Sequence, residues 1–429
     1  MLRKIVPVIV VSWLFIAQSV AAAGPSALSA AQQADWRQWR GGADHRGVNR
    51  YENKLSVSNV ADLKLQWVGN NGFNSSPAVA NGVLYVSNGG LHAYPAKCAT
   101  NGSVCPPLWT GGSNYADWSS PAVGGGAVYI GGVSGLFAFK VGCRSDGGQC
   151  QPLWRGTTSD SGYTSPVFSN GVVYLATNGG TLEAYDVSAC ASAGGFCSPK
   201  WTADLGGNVY SSPSVADGIV YVGGHDGFLY AFKANCGTGG ASCSPVWKGD
   251  MHAITFGTPA VAGGTVYVAA SDGGVYAFPT SCRNGNGTCQ PLWHAALPAT
   301  NHSSPAVTDT TVYVGSKHRL YALAVGCATD GSLCTPLWKS RRIGSDNDEV
   351  ASSPAVANGI VFVGSQILNQ ASGRLIAFPA ECGSGGQICE SIWRSPLTAG
   401  MVNASPAVAH GMVYVPSNGG RTYAFGLPN

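Results

Sequence analysis

Residues 211–247 read SSPSVADGIVYVGGHDGFLYAFKANCGTGGASCSPVW, and the fold follows from how this stretch is punctuated. Ser211-Ser-Pro213 opens a short apolar run that ends in an Asp217-Gly218 turn. Gly218-Ile-Val-Tyr-Val222 follows, then a Gly-rich turn, then Phe228-Leu-Tyr-Ala-Phe232. Cys236 and Cys243 flank one more turn before Trp247. β-Branched and aromatic residues fit a pleated, half-buried surface, and Gly, Asn and Asp supply the φ values of tight hairpin turns. The stretch predicts a four-stranded meander, with strands A to D in chain order.

The unit recurs along the chain. Pro77, Pro121, Pro166, Pro213, Pro259, Pro305, Pro354 and Pro406 each close an S-S-P-type phrase. Strand D carries Trp67, Trp109, Trp154, Trp201, Trp247, Trp293, Trp338 and Trp393. Repeats of about 45 residues with four strands each predict an all-β, eight-bladed β-propeller of four-stranded antiparallel blades. The two ends predict how the ring closes. Trp67 precedes any strand A, and the last unit, Ser405 to Phe425, has strands A, B and C but no D. An N-terminal strand completing the last blade removes the open junction. The chain divides into a signal peptide (1–23), an N-terminal arm (24–62) and the propeller (63–429).

Composition agrees and excludes other classes. Only 10% of the 429 residues are charged, while 60 are Gly and 45% are hydrophobic, so the chain builds a core from short strands. The net charge of +3 falls to +1 when Arg3 and Lys4 leave with a leader, which provides no field for nucleic acid. That leader is expected from Arg3 and Lys4, an apolar run from Ile5 to Ala17, and Ala21-Ala22-Ala23 as a cleavage site. The run is too short to span a bilayer, and no later segment reads as a transmembrane helix. The leader has no Cys for a lipid, so the expected product is exported, soluble and not lipid-anchored. Fourteen cysteines form seven pairs of one spacing: Cys98/Cys105, Cys143/Cys150, Cys190/Cys197, Cys236/Cys243, Cys282/Cys289, Cys327/Cys334 and Cys382/Cys389. Metal sites use closer pairs, so an exported chain with this pattern reads as seven local disulfides between strands C and D.

The A-V-x-x-G-x-V-Y-V-G…D-G-x-L-Y-A-F…L-W unit resembles the PQQ-like β-propeller repeat of the quinoprotein alcohol dehydrogenase-like superfamily. The opening Asp35-Trp-Arg-Gln-Trp-Arg-Gly-Gly-Ala-Asp-His-Arg-Gly-Val-Asn49 is similar to the W-x-x-x-R-G…G segment that precedes such propellers. The resemblance implies fold but not activity, because the family holds both dehydrogenases and non-catalytic scaffolds. It departs from the family's D-A-x-T-G turn, which a Cys-bridged hairpin replaces. For the dehydrogenases the resemblance implies PQQ stacked between a Trp and a disulfide of adjacent cysteines, with Ca²⁺ on carboxylate and amide oxygens. This chain has no Cys-Cys dipeptide and no C-x-x-C-H haem motif, so the reading leans away from an enzyme.

Strand alternation places the D-to-A and B-to-C connections on one face, around the axial mouth. Three residues before the repeat Pro stand Trp118, Tyr163, Tyr210, Phe256 and His302 in five consecutive blades. Two readings fit them: gap-filling between neighbouring A strands, or an aromatic crescent for a flat cofactor or a sugar. Blade seven carries two insertions on the same face. The interval from Trp338 to Pro354 is sixteen residues where most blades have twelve, and it holds Arg341, Arg342, Asp346, Asp348 and Glu349. Asp346, Asp348 and Glu349 offer oxygen ligands to Ca²⁺ without the spacing of a calcium loop. The second insertion is Gln366-Ile-Leu-Asn-Gln-Ala-Ser-Gly373. The expected function is a non-catalytic binding or scaffold module that takes a protein or glycan partner on this face. The alternatives are a PQQ-dependent oxidoreductase acting on an alcohol or sugar and a carbohydrate-binding propeller.

Overall fold

The computed structural model describes residues 28–72, 75–98, 102–112, 118–158, 163–282, 288–298, 303–343, 348–350, 352–367 and 371–428. Eight sheets form the blades of one all-β propeller. In the fourth blade Ser214–Ala216, Ile219–Gly223, Phe228–Lys233 and Trp247–Asp250 pair antiparallel in order. The A-to-B turn is Asp217-Gly218, with φ of 50° and 75°. Two successive positive φ values match the twist of a hairpin, which is why Asn-Gly, Asp-Gly or Gly-Gly stands at this turn in most repeats.

Closure runs as the sequence predicts. Lys64–Gly69 pairs antiparallel with Arg421–Gly426, placing Trp67 opposite Ala424 as the D strand of the last blade. Seven of the eight D-strand Trp rings pack on the strand-B Tyr of their own blade. The ring centroids of Tyr85–Trp109, Tyr129–Trp154, Tyr174–Trp201, Tyr221–Trp247, Tyr267–Trp293 and Tyr313–Trp338 lie 5.9–6.0 Å apart, and those of Tyr414–Trp67 lie 6.1 Å apart. In blade seven strand B offers Phe362 instead.

All seven expected disulfides are present. Their hairpins do more than close strand C onto strand D. Each reaches across to the preceding blade and runs parallel to its D strand, so the sheets gain a fifth element that the four-stranded reading lacks. Val104–Cys105 lies on Lys64–Gly69, Gln149–Cys150 on Trp109–Gly111, and Gln387–Cys389 on Trp338–Ser340. Gly195–Cys197, Ala241–Ser242 and Thr288–Cys289 do the same, and Leu333 forms a single bridge to His294. The staple thus holds blade to blade.

The S-S-P phrase has two separate roles. Its first hydroxyl binds the end of strand B in the same blade: Ser75, Ser119, Ser211, Ser303 and Ser352 accept from the amides of Ser87, Gly131, Gly223, Gly315 and Gly364. Its second hydroxyl joins blades. Ser76 N donates to Ser120 Oγ, Ser120 N to Ser165 Oγ and Ser165 N to Ser212 Oγ, each at 2.8–2.9 Å. In a second run Thr258 N donates to Ser304 Oγ, Ser304 N to Ser353 Oγ and Ser353 N to Ser405 Oγ, and Ser405 N returns to Ser76 Oγ at 2.8 Å.

Beneath this ring the N-terminal arm crosses the channel at its A-to-B end. Trp36 exchanges both backbone hydrogen bonds with Val79. The carbonyls of Arg37, Ala43, Asp44, Arg46 and Gly47 accept from Val123, Val215, Val261, Val307 and Val356. Gln38 binds both backbone groups of Phe168 through its amide, and Asn49 Nδ2 donates to Val408 O. The arm therefore touches strand A of all eight blades. Arg40 is buried and donates to the carbonyls of His45, Pro305 and Pro354. Gly47 has φ of 67°, and a Cβ there would collide with the Arg40 guanidinium. His45 is fully buried, and desolvation, helped by the Arg40 charge, depresses its pKa to about 3.

Two outcomes follow. Cys282→Ser with Cys289→Ser removes an eight-residue loop constraint and is expected to cost about 2.5 kcal/mol, read as a lower thermal midpoint. Equal midpoints for variant and parent would show the hairpin to be held without its covalent bond. His45 stays neutral in the fold but titrates near 6.5 when unfolded, so the unfolded state takes up the proton first as pH falls. Stability is expected to drop by about 1.4 kcal/mol per pH unit below 6.5, until the folded pKa is reached. Melting between pH 7 and 4.5 checks this, and His45→Gln should flatten the slope.

Candidate functional site

The site is built by the residues that enter strand A. Because the S-S-P phrase is bonded to strand B on one side and to the next blade on the other, the residue just ahead of it is held at the rim of the axial mouth. Trp118 and Tyr163 are 46% and 49% exposed there, while Tyr210 and Phe256 are half-buried. The rings touch in sequence. Trp118 and Tyr163 have centroids 6.0 Å apart, Tyr163 meets Tyr210 edge-on at 5.1 Å, and Tyr210 stacks on Phe256 at 5.7 Å. The four rings from blades two to five form one continuous arc. His302 lies outside the described residues, as do Asn74 and Ala351 at the equivalent positions of blades one and seven.

His225 joins the arc, 4.6 Å from Tyr210 and 4.9 Å from Phe256 between ring centroids. Burial lowers its pKa, so it faces the rings as a neutral imidazole near pH 7. In the sequence His225-Asp226-Gly227 also has the composition of an ordinary tight turn, which hides this role. The signal was its place in a B-to-C connection, on the same face as the rings.

The two insertions of blade seven come together as one extended sheet. Asp348–Val350 pairs antiparallel with the far end of Ile360–Ile367, and Thr398–Ala399 pairs with the start of Ser372–Pro379. Asp346 lies outside the described residues, and for Asp348 and Glu349 the backbone strand is what is described. Arg341 is drawn instead to the rim, where it pairs with Glu390 of the blade-seven hairpin at 2.5 Å.

The described residues do not match the quinone-and-calcium arrangement implied by resemblance. Its quinone clamp needs a disulfide of adjacent cysteines, and all fourteen cysteines are bonded in the C-to-D hairpins on the opposite face. Among the described residues no three His, Cys, Asp or Glu side chains converge on one point. The crescent offers flat apolar faces and one neutral imidazole, which suits stacking and C–H contacts rather than that donor set.

The family described as outer membrane protein assembly factor BamB matches residues 197–278 and 329–426. The chain is a PQQ-like β-propeller. No curated protein sequence is significantly similar to it. The quinohemoprotein alcohol dehydrogenase from Comamonas testosteroni superposes with a TM-score of 0.66 at 15% identity, over 93% of this chain and 81% of that one. BamB from Moraxella catarrhalis superposes with a TM-score of 0.59 at 17% identity, over 85% of this chain and 98% of that one. The computationally designed Ika8 protein gives 0.63 at 15% identity, over 85% and 99%. An enzyme, an assembly factor and a designed propeller share the fold, so the fold does not choose between catalysis and scaffolding.

Exposure separates the members of the crescent experimentally. Trp118→Ala is expected to change stability by less than about 0.5 kcal/mol, whereas Tyr210→Ala, which loses contacts to three rings, should cost about 1–2 kcal/mol. Thermal midpoints of the two variants check the ordering.

Proposed function

We propose that this propeller is an exported, non-catalytic binding module whose partner docks on the axial D-to-A and B-to-C face. The observation that carries the reading is the unbroken ring arc from Trp118 through Tyr163 and Tyr210 to Phe256, with its first two members half exposed. Exposed, adjoining aromatic faces of this kind anchor interfaces, since they bury large area at low conformational cost. The blade-seven sheet extension stands beside the same mouth and gives the partner a second point of contact. Export fits the leader-like N-terminus and the seven bonded cysteine pairs, and no helix among the described residues is long and apolar enough to cross a membrane. A protein or a glycan satisfies the same apolar arc.

The test is a titration of the purified oxidised protein with PQQ and Ca²⁺, alongside a glycan array and dye-coupled oxidation of alcohols and sugars. The expected result is no turnover, together with a glycan or protein ligand whose binding falls at least tenfold in Trp118→Ala. Tight calcium-dependent PQQ binding with turnover would replace the reading by a dehydrogenase.

A further inference from the structure

Seven of the eight D strands are covered on their outer side by the next blade's disulfide hairpin, and the covering strand has a constant form. It runs parallel to D, and its second cysteine is buried: Cys105, Cys150, Cys197, Cys243, Cys289, Cys334 and Cys389 are 0–8% exposed. The residue before that cysteine faces outward, as Val104, Phe196, Leu333 and Ile388 do. The residue after the D-strand Trp supplies the backbone groups for this contact. Thr110 N donates to Gly148 O and His294 N to Ser332 O, while Thr202 O and His294 O accept from Cys243 N and Cys334 N.

Blade seven differs. Its D strand, Trp393–Arg394, is the last strand of its sheet, and among the described residues no strand lies beyond it. The consequence shows in the side chains. Every other D-strand Trp is at most 4% exposed, but Trp393 is only partly buried, and it meets Phe425 edge-on at 5.4 Å. Arg394, at the position of Thr110 and His294, is exposed, and Leu397 beside it is 48% exposed.

We infer that the outer edge of blade seven binds an extended segment of a partner polypeptide. The segment adds as a fifth strand parallel to Trp393–Arg394, with a small apolar side chain turned inward where the other seven slots hold a cysteine. The seven filled slots define this occupant: two or three residues of strand, one buried small residue, and backbone bonds to the residue after the Trp. They also argue against a second copy of the chain. Two equal edges related by a two-fold axis run antiparallel, whereas every filled slot is parallel. The rim slot is separate from the axial crescent, so a partner here does not compete for the mouth.

The probe is a fluorescein-labelled, disulfide-closed peptide with the sequence of residues 380–392, titrated with the full chain and read by anisotropy. Saturable binding is expected, weakened at least tenfold in Arg394→Pro, which removes the outward N–H and leaves the pairing with strand C in place. A second chain carries the same thirteen-residue hairpin sequence appended after Asn429, where it fills the slot internally. It should lose binding of the free peptide and melt at a higher temperature than the parent. Absence of peptide binding to the parent chain overturns the inference, as does equal binding by the parent, Arg394→Pro and the appended chain. Concentration-dependent dimerisation that the appended hairpin abolishes overturns it too, and assigns the edge to self-association.

Discussion

Everything in this molecule depends on the pairing of Lys64–Gly69 with Arg421–Gly426. A propeller blade buries its two faces only against neighbouring blades, so a row of eight would leave both terminal faces wet. Joining the first strand to the last unit turns that row into a ring, and each blade then gains two neighbours. Trp67 performs in this composite blade the task that a Trp performs in the others, packing on Tyr414 and donating its indole N–H to Ala96 O. Ends that lie more than 350 residues apart in sequence are thereby made local in space.

Three concentric layers of polar bonding follow from closure. The arm binds the A strands at the channel's lower end, the serine series joins blades just above it, and the disulfide hairpins reach from blade to blade at the rim. Each layer satisfies backbone groups that ring geometry would otherwise bury unpaired. Because the first two layers fix where strand A begins, the residues ahead of it stand on a rigid base. The aromatic arc is an exposed feature on a scaffold held from inside, which is the arrangement that lets loops vary without loss of the fold.

The rim is asymmetric for the same reason. Ring closure takes its last D strand from the N-terminal side of the chain, so the C-to-D connection that covers seven neighbours is replaced in the last blade by separate chain segments. Among the described residues the uncovered edge is that of blade seven, whose Trp393 is only partly buried. That blade also carries both long insertions, and its sheet continues past the usual strand ends on the mouth side. Departures from eightfold symmetry gather there.

The sequence alone determined the strands, the eight blades, the closing strand and the seven disulfides. These features rest on short-range physics: alternation along a strand, positive φ in two-residue turns, and cysteines seven positions apart. It also placed Trp118, Tyr163, Tyr210 and Phe256 on one face, because equivalent positions in a repeat share a location. Tertiary structure decided what those positions touch. The arm reaches six of the eight A strands through its backbone, which leaves no side-chain pattern, and the other two through Gln38 and Asn49, the latter across 359 residues. His225 enters the crescent because a B-to-C turn of one blade leans on the A-strand rings of two. The hairpins' reach to the preceding blade, and so the edge left uncovered among the described residues, exists only once blades stand side by side.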